Sequence, residues 1–258
     1  MPYLELGSVD LWYEDNGGGG VPVVFLHAFT GNTEGWAYQL PAFTNAGYRN
    51  VTYDRRGWGQ SRDTAAEART TYAVDDLHAL VEHLGLTSFH LVSTAGGGYV
   101  GLDYAVTHPE RLRSLVVACS GGPLQKDAEY MALLSPYGRI PDFQSLPAWF
   151  REIGPTYRVA NPAGVERWIE IEEASKQETA HQEQMRNDFT LKLLETIAVP
   201  TLMLAADADL YAAPPRMRAM ANRIADCEFA LVPEAGHAAY WEQPEAWNRL
   251  VLDFICQH

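Results

Sequence analysis

The chain has 258 residues, 47% of them apolar and 20% charged. That suits one large α/β domain or two small ones and is too apolar for a disordered chain. A formal charge of −14 disfavours nucleic acid and anionic membrane surfaces, both of which would repel it. Cys119, Cys227 and Cys256 are widely separated, lack metal-ligand spacing and read as free thiols of a reducing compartment. The N-terminus shows no basic segment followed by an apolar run, and no apolar stretch approaches the roughly 20 residues that span a bilayer. A cytoplasmic protein without membrane contact is expected.

In chain order, residues 2–15 alternate apolar and polar positions and predict two edge strands joined near Gly7-Ser8, followed by a flexible Gly17–Gly20 turn. Val21-Pro-Val-Val-Phe-Leu26 is a short continuous apolar run of the kind found in a strand buried on both faces. A helix over 35–46 then leads to a strand ending at Tyr53-Asp54, and residues 71–85 have helical spacing. Strand 88–93, helix 97–107 and strand 112–119 come next. The alternation stops near 122. Up to about 190 only helical segments rich in aromatics and charge are found, and strand–helix alternation resumes with Val199–Leu204, a helix at 214–224, a strand at 228–232 and a helix at 240–255. This pattern predicts an α/β protein with a mostly parallel, doubly wound sheet, its core from 1–121 and 191–258, and a helical cap from 122–190 over the edge of the sheet where ligands bind.

The stretch His90-Leu-Val-Ser-Thr-Ala-Gly-Gly-Gly-Tyr99 is an apolar strand that runs through small residues into a helix. A strand–turn–helix of this form carries the Gly-x-Ser-x-Gly nucleophile elbow, with an acid and a histidine following later in the chain. Gly97 fills the last glycine position, Ser93 replaces the first, and Ala95 stands where the nucleophile would be. With Phe25-Leu-His-Ala-Phe-Thr-Gly31, Tyr53-Asp-Arg-Arg-Gly-Trp-Gly-Gln-Ser61, Leu204-Ala-Ala-Asp-Ala-Asp-Leu-Tyr-Ala-Ala-Pro214 and Val232-Pro-Glu-Ala-Gly-His-Ala-Ala-Tyr-Trp-Glu242, the whole chain resembles the α/β-fold hydrolases. These segments correspond in order to the family's His-Gly loop (with Ala28 for glycine), its Asp-x-Arg-Gly-x-Gly-x-Ser loop, its acid loop and its histidine loop.

The resemblance implies His237 as general base and Asp209, in preference to Asp207, as the acid that orients it. It further implies an oxyanion hole from the backbone N–H groups of Phe29 and Gly96, which a change of side chain at residue 95 would leave in place. In the elbow geometry Ser93 and Thr94 precede the apex and should point away from the base, and Ser120 should help close a turn with Gly121-Gly122. His27 is expected to stabilise its loop, and it is carried with Trp149 and Tyr157 as a candidate substrate contact. Tyr130, Tyr137, Trp149, Tyr157 and Trp168 are expected mainly as cap core, with Arg139, Arg151 and Arg158 available for an anionic group. Asp54, Arg55 and Arg56 should organise loops. No cofactor is expected, since Gly96-Gly97-Gly98 lacks the spacing of a dinucleotide fingerprint and no phosphate loop is present. No metal is expected either, since no His/Cys/carboxylate cluster has ligand spacing.

Two thirds of an acyl-transfer triad are thus present, and four readings follow. The first is an enzyme that acts on a small ester, lactone or C–C carbonyl substrate with the His237–Asp209 dyad alone. The others are a serine hydrolase inactivated by an engineered Ser→Ala change at residue 95, a cofactor-free lyase or oxygenase that moves protons with the dyad, and a non-catalytic ligand-binding protein. A small-molecule substrate is the expected partner, and a homodimer is compatible with the chain.

Overall fold

The computed structural model describes residues 3–64, 71–133, 140–177 and 184–258. Two edge strands, β1 (Tyr3–Glu5) and β2 (Val9–Asp15), pair antiparallel before the chain enters β3 (Pro22–Leu26). A 3-10 turn at Thr33–Trp36, capped by the Asn32 side chain on Glu34 N–H, leads to α1 (Gln39–Asn45) and β4 (Arg49–Tyr53). The single helix expected over 35–46 is therefore two pieces. The short β5 (Arg62–Asp63), too brief to leave a periodic signal, pairs with β2. Then follow α2 (Ala73–His83), β6 (Phe89–Thr94), α3 (Gly97–Thr107) and β7 (Leu112–Ala118).

Cap helices α4 (Ala128–Ala132), α5 (Ala148–Glu152), α6 (Pro155–Ala160) and α7 (Pro162–Ser175) come next, then α8 (Leu191–Leu194). The chain closes with β8 (Thr201–Ala206), α9 (Pro214–Ala221), β9 (Cys227–Val232), α10 (Ala239–Glu242) and α11 (Pro244–Ile255). The last two were expected as one helix. Proline disfavours helical backbone at the residue before it, and Gln243 sits at φ −130°, ψ 58° and breaks the run.

Among the described residues nine strands form one sheet in the order β1-β2-β4-β3-β6-β7-β8-β9, with β5 beside β2, and pairing is parallel from β4 to β9. Side chains alternate along each strand, so the sheet feeds two apolar layers. Val24, Leu26, Leu91, Leu115, Val117 and Met203 pack with α2, α3 and α9, whereas Val23, Phe25, Val92, Val116, Leu202 and Leu204 pack with α11, the histidine loop and the cap. Strands β6 and β8 are buried along their whole length, and β6 carries His90, Ser93 and Thr94 among its apolar residues.

The cap is hydrogen-bonded to the core at specific points. Ala238 N–H donates to Glu152 O (3.0 Å) and Gly154 N–H to Glu242 Oε2 (2.9 Å). Here two glycines are required: a Cβ on Gly236 would lie 2.5 Å from Gly154 N, and one on Gly154 2.7 Å from Gly236 N. On the other side Gly59 N–H donates to Ser175 O, and Gln177 donates to Gly59 O and Ser61 O. Trp168 and Tyr157 are in the apolar cluster under the cap. Tyr137 and Arg139 lie outside the described residues. The three cysteines are free thiols, and no described helix is long and apolar enough to cross a membrane.

Candidate active site

The turn after β6 has the shape of a nucleophile elbow. Ala95 sits at φ +48°, a left-handed conformation that costs a residue with a Cβ about 1 kcal/mol. The surroundings hold it there: Ala95 N–H donates to Ala118 O (2.9 Å), and Gly98 N–H closes on Ala95 O (3.0 Å). The next turn of chain must also pass very close to β3, because a Cβ on Gly97 would lie 2.3 Å from Leu26 O. A strained apex is thus retained around a methyl group.

Ser93, two residues before the apex, is turned away from it. Ser93 Oγ is fully buried and donates to Val116 O at 2.6 Å. Thr94 is also buried, and its hydroxyl has no partner among the described residues. Ser120 Oγ accepts from Gly122 N–H at 3.4 Å in the turn after β7.

The acid and base loops follow β8 and β9, at the same carboxyl edge as the elbow. His237 Nδ1 lies 2.8 Å from Asp209 Oδ2, both residues being buried. The other carboxylate oxygen, Oδ1, accepts from Tyr211 N–H (2.7 Å) and Ala212 N–H (2.9 Å), which fixes the acid loop about the imidazole. A carboxylate held in this way places the proton of the neutral ring on Nδ1 and leaves the Nε2 lone pair able to accept one. The Tyr211 ring packs on His237 with centroids 4.6 Å apart. Asp207, the competing acid, is exposed.

Glu152, at the end of α5, is a site residue that the sequence did not single out. Its carboxylate is buried, accepts from Thr30 Oγ1 at 3.3 Å, and interacts electrostatically with His237 and Asp209. Nothing in its helical context distinguishes it from the other cap glutamates. Burial raises its pKa, with His237 pulling the other way. Burial would push His237 down, but Asp209, Glu152 and Glu242 outweigh it and hold the ring at about 9. Glu242 is pushed up to about 7 by burial, opposed by the N–H groups of Gly236 and Gly154.

At the entrance, Phe29 and Gly96 touch closely enough that a Cβ on Gly96 would lie 2.4 Å from the Phe29 ring. Among the described residues neither backbone N–H has a protein acceptor. Phe29 is exposed, is flanked by Trp58 and Tyr99, and has the Arg55 guanidinium 5.0 Å from its ring centroid.

Two candidate substrate contacts are internal. His27 Nδ1 lies 2.7 Å from Ala28 O, and its Nε2 accepts from Arg55 N–H at 2.9 Å, so both ring nitrogens hold the loop and neither is left for a ligand. Tyr157 accepts from Asn161 Nδ2 within the cap core. Trp149 is half-buried, with Arg158 5.8 Å from its ring centroid. Asp54 accepts from Thr33 and Gln60 N–H, and Arg56 makes a buried two-bond pair with Asp76. Among the described residues no cluster of His, Cys, Asp and Glu could hold a metal ion.

A family model described as the alpha/beta hydrolase family matches residues 23–250. The chain is 29% identical to a Mycobacterium tuberculosis (strain ATCC 25618 / H37Rv) protein provisionally named non-heme bromoperoxidase BpoC, over 96% of this chain and 98% of that one. It is also 29% identical to a 2-hydroxy-6-oxononadienedioate/2-hydroxy-6-oxononatrienedioate hydrolase of Burkholderia vietnamiensis, over 94% and 90%. In fold it is similar to a thermophilic esterase from Thermogutta terrifontis solved with malate bound, with a TM-score of 0.78 and 24% identity over 100% and 97% of the two chains. The elbow, the ordered acid and histidine loops and a family match over most of the length agree: the chain belongs to the α/β hydrolase family.

Proposed function

We propose that this chain hydrolyses a small carbonyl compound, an ester, lactone or activated C–C substrate, by direct attack of water driven by the His237–Asp209 dyad. The observation that carries this reading is the buried 2.8 Å pair of His237 and Asp209 at an elbow whose apex offers no hydroxyl. His237 Nε2 takes a proton from water, and the hydroxide oxygen bonds to the carbonyl carbon. The developing oxyanion accepts from the N–H groups of Phe29 and Gly96. When the tetrahedral species collapses, the bond to the leaving group breaks and the imidazolium returns its proton to the departing oxygen or carbon. One water is consumed, one acid is formed, and His237 ends neutral. The Asp209 carboxylate stabilises the imidazolium.

The test is hydrolysis of a short-chain ester panel by the chain as it stands and by its His237→Ala and Asp209→Asn variants. The reading expects activity with Ala95 in place that His237→Ala abolishes and Asp209→Asn reduces severely. Activity that survives His237→Ala overturns it.

A further inference from the structure

Beside the histidine loop lies an open cleft of about 650 Å³ lined by Ile140, Phe143, Gln144, Tyr211, Arg216 and their neighbours. Tyr211 is the wall it shares with the reacting end, since the same ring packs on His237. Arg216 stands deeper, where Gly121 follows β7: its Nη2 is 3.5 Å from where a Cβ on Gly121 would be. Its Nη1 donates to Tyr211 O at 2.8 Å, and its guanidinium lies 4.9 Å from the Tyr130 ring centroid.

No carboxylate lies within ion-pair distance of Arg216 among the described residues, and its Nε is buried without a partner. A guanidinium that lines a cleft with no described carboxylate against it is suited to a carboxylate of the ligand. Arg151 adds a second positive charge behind the wall, its Nη1 donating to Gln144 Oε1 (2.8 Å) and to the Tyr211 hydroxyl. Asp142 also lines the cleft, but it is exposed. It repels an anion at the lip and leaves the Arg216 side as the favourable seat.

We propose that Arg216 seats a carboxylate of the substrate in this cleft, so that the compound hydrolysed is a carbonyl-bearing acid whose reacting carbonyl extends past Tyr211 toward His237. The proposal rests on the reading of His237 as the reacting end, but its test reads binding alone.

The probes are 6-oxoheptanoate and its neutral counterpart 2-heptanone, titrated calorimetrically into the full chain at low ionic strength. The unaltered chain should bind the acid at least about tenfold more tightly than the ketone, the scale of one charge-assisted contact. Arg216→Gln should bring that ratio close to one, and Arg216→Lys should restore part of it. Arg218→Gln, whose guanidinium packs on Phe229, should leave it intact. Raising NaCl to about 0.5 M should shrink the ratio in the unaltered chain, which keeps the test open if Arg216→Gln does not fold. Equal binding of the two probes, or a ratio that survives Arg216→Gln or high salt, overturns the proposal. His237→Ala should retain the ratio, so failure of the hydrolytic reading and failure of this one are seen separately.

Discussion

Protonation of His237 fixes the pH window in which the dyad can serve as a base. Burial disfavours the charged ring, yet Asp209, Glu152 and Glu242 surround it and leave it at about 9. At pH 7 only about 1% of the imidazole is then free to accept a proton. The value of kcat/KM for a p-nitrophenyl ester should therefore rise about tenfold per pH unit through the neutral range and level above about pH 9. Glu152→Gln removes one of the carboxylates. A single charge at close range in a buried site is worth about one to two pKa units, so the limb should move to about 7–8 and activity at pH 7 should rise about ten- to fiftyfold.

The same shift is a stability statement. The folded value lies above the ordinary 6.5, so the proton on His237 stabilises the fold fully below about pH 6.5 and progressively less as pH rises through about 9. The difference corresponds to about 3 kcal/mol. It is read as the urea-unfolding free energy of the chain minus that of His237→Gln, compared at about pH 6 and about pH 10. A kinetic limb at or below about pH 6.5, or one that Glu152→Gln does not move, refutes the reasoning.

Other consequences follow from particular contacts. Asp209→Asn cannot hold the Nδ1–H tautomer and should lower kcat by about 10³–10⁴, as read by stopped-flow hydrolysis. Arg56→Ala leaves the Asp76 carboxylate buried opposite a lost partner 2.9 Å away, and should destabilise by about 3–5 kcal/mol in chemical denaturation. Gly97→Ala places a methyl against the Leu26 carbonyl, a backbone atom that cannot yield. It should cost at least about 2 kcal/mol and lower the melting temperature by several degrees.

Much of the fold was legible because the strands are buried on both faces and the motifs punctuate them. β3 is the continuous apolar run read from the sequence, β6, β7 and β8 carry apolar centres at Leu91-Val92, Leu115-Val-Val-Ala118 and Leu202-Met-Leu204, and α3 begins at Gly97 where the elbow pattern places it. Breaks inside helices were harder to see. The 3-10 turn capped by Asn32 and the interruption at Gln243-Pro244 are local backbone events within stretches whose apolar spacing runs on. At the site, the partnership of Asp209 with His237 was what the resemblance of the acid and histidine loops implied. Glu152 was not, because its place comes from the cap, which sets it far along the chain from His237 and Asp209. His27, expected first to stabilise its loop and carried also as a candidate substrate contact, has both ring nitrogens engaged within the loop.

The most direct test of the dyad is a pre-steady-state comparison of the chain with its Ala95→Ser variant on p-nitrophenyl butyrate, with mass spectrometry of the quenched protein. Direct attack by water predicts turnover by the unaltered chain with no burst and no acyl adduct, lost in His237→Ala, whereas Ala95→Ser acquires a burst and a butyryl group on residue 95. An inert unaltered chain beside an active, acylating Ala95→Ser variant would contradict the account and mark the site as a serine hydrolase lacking its nucleophile.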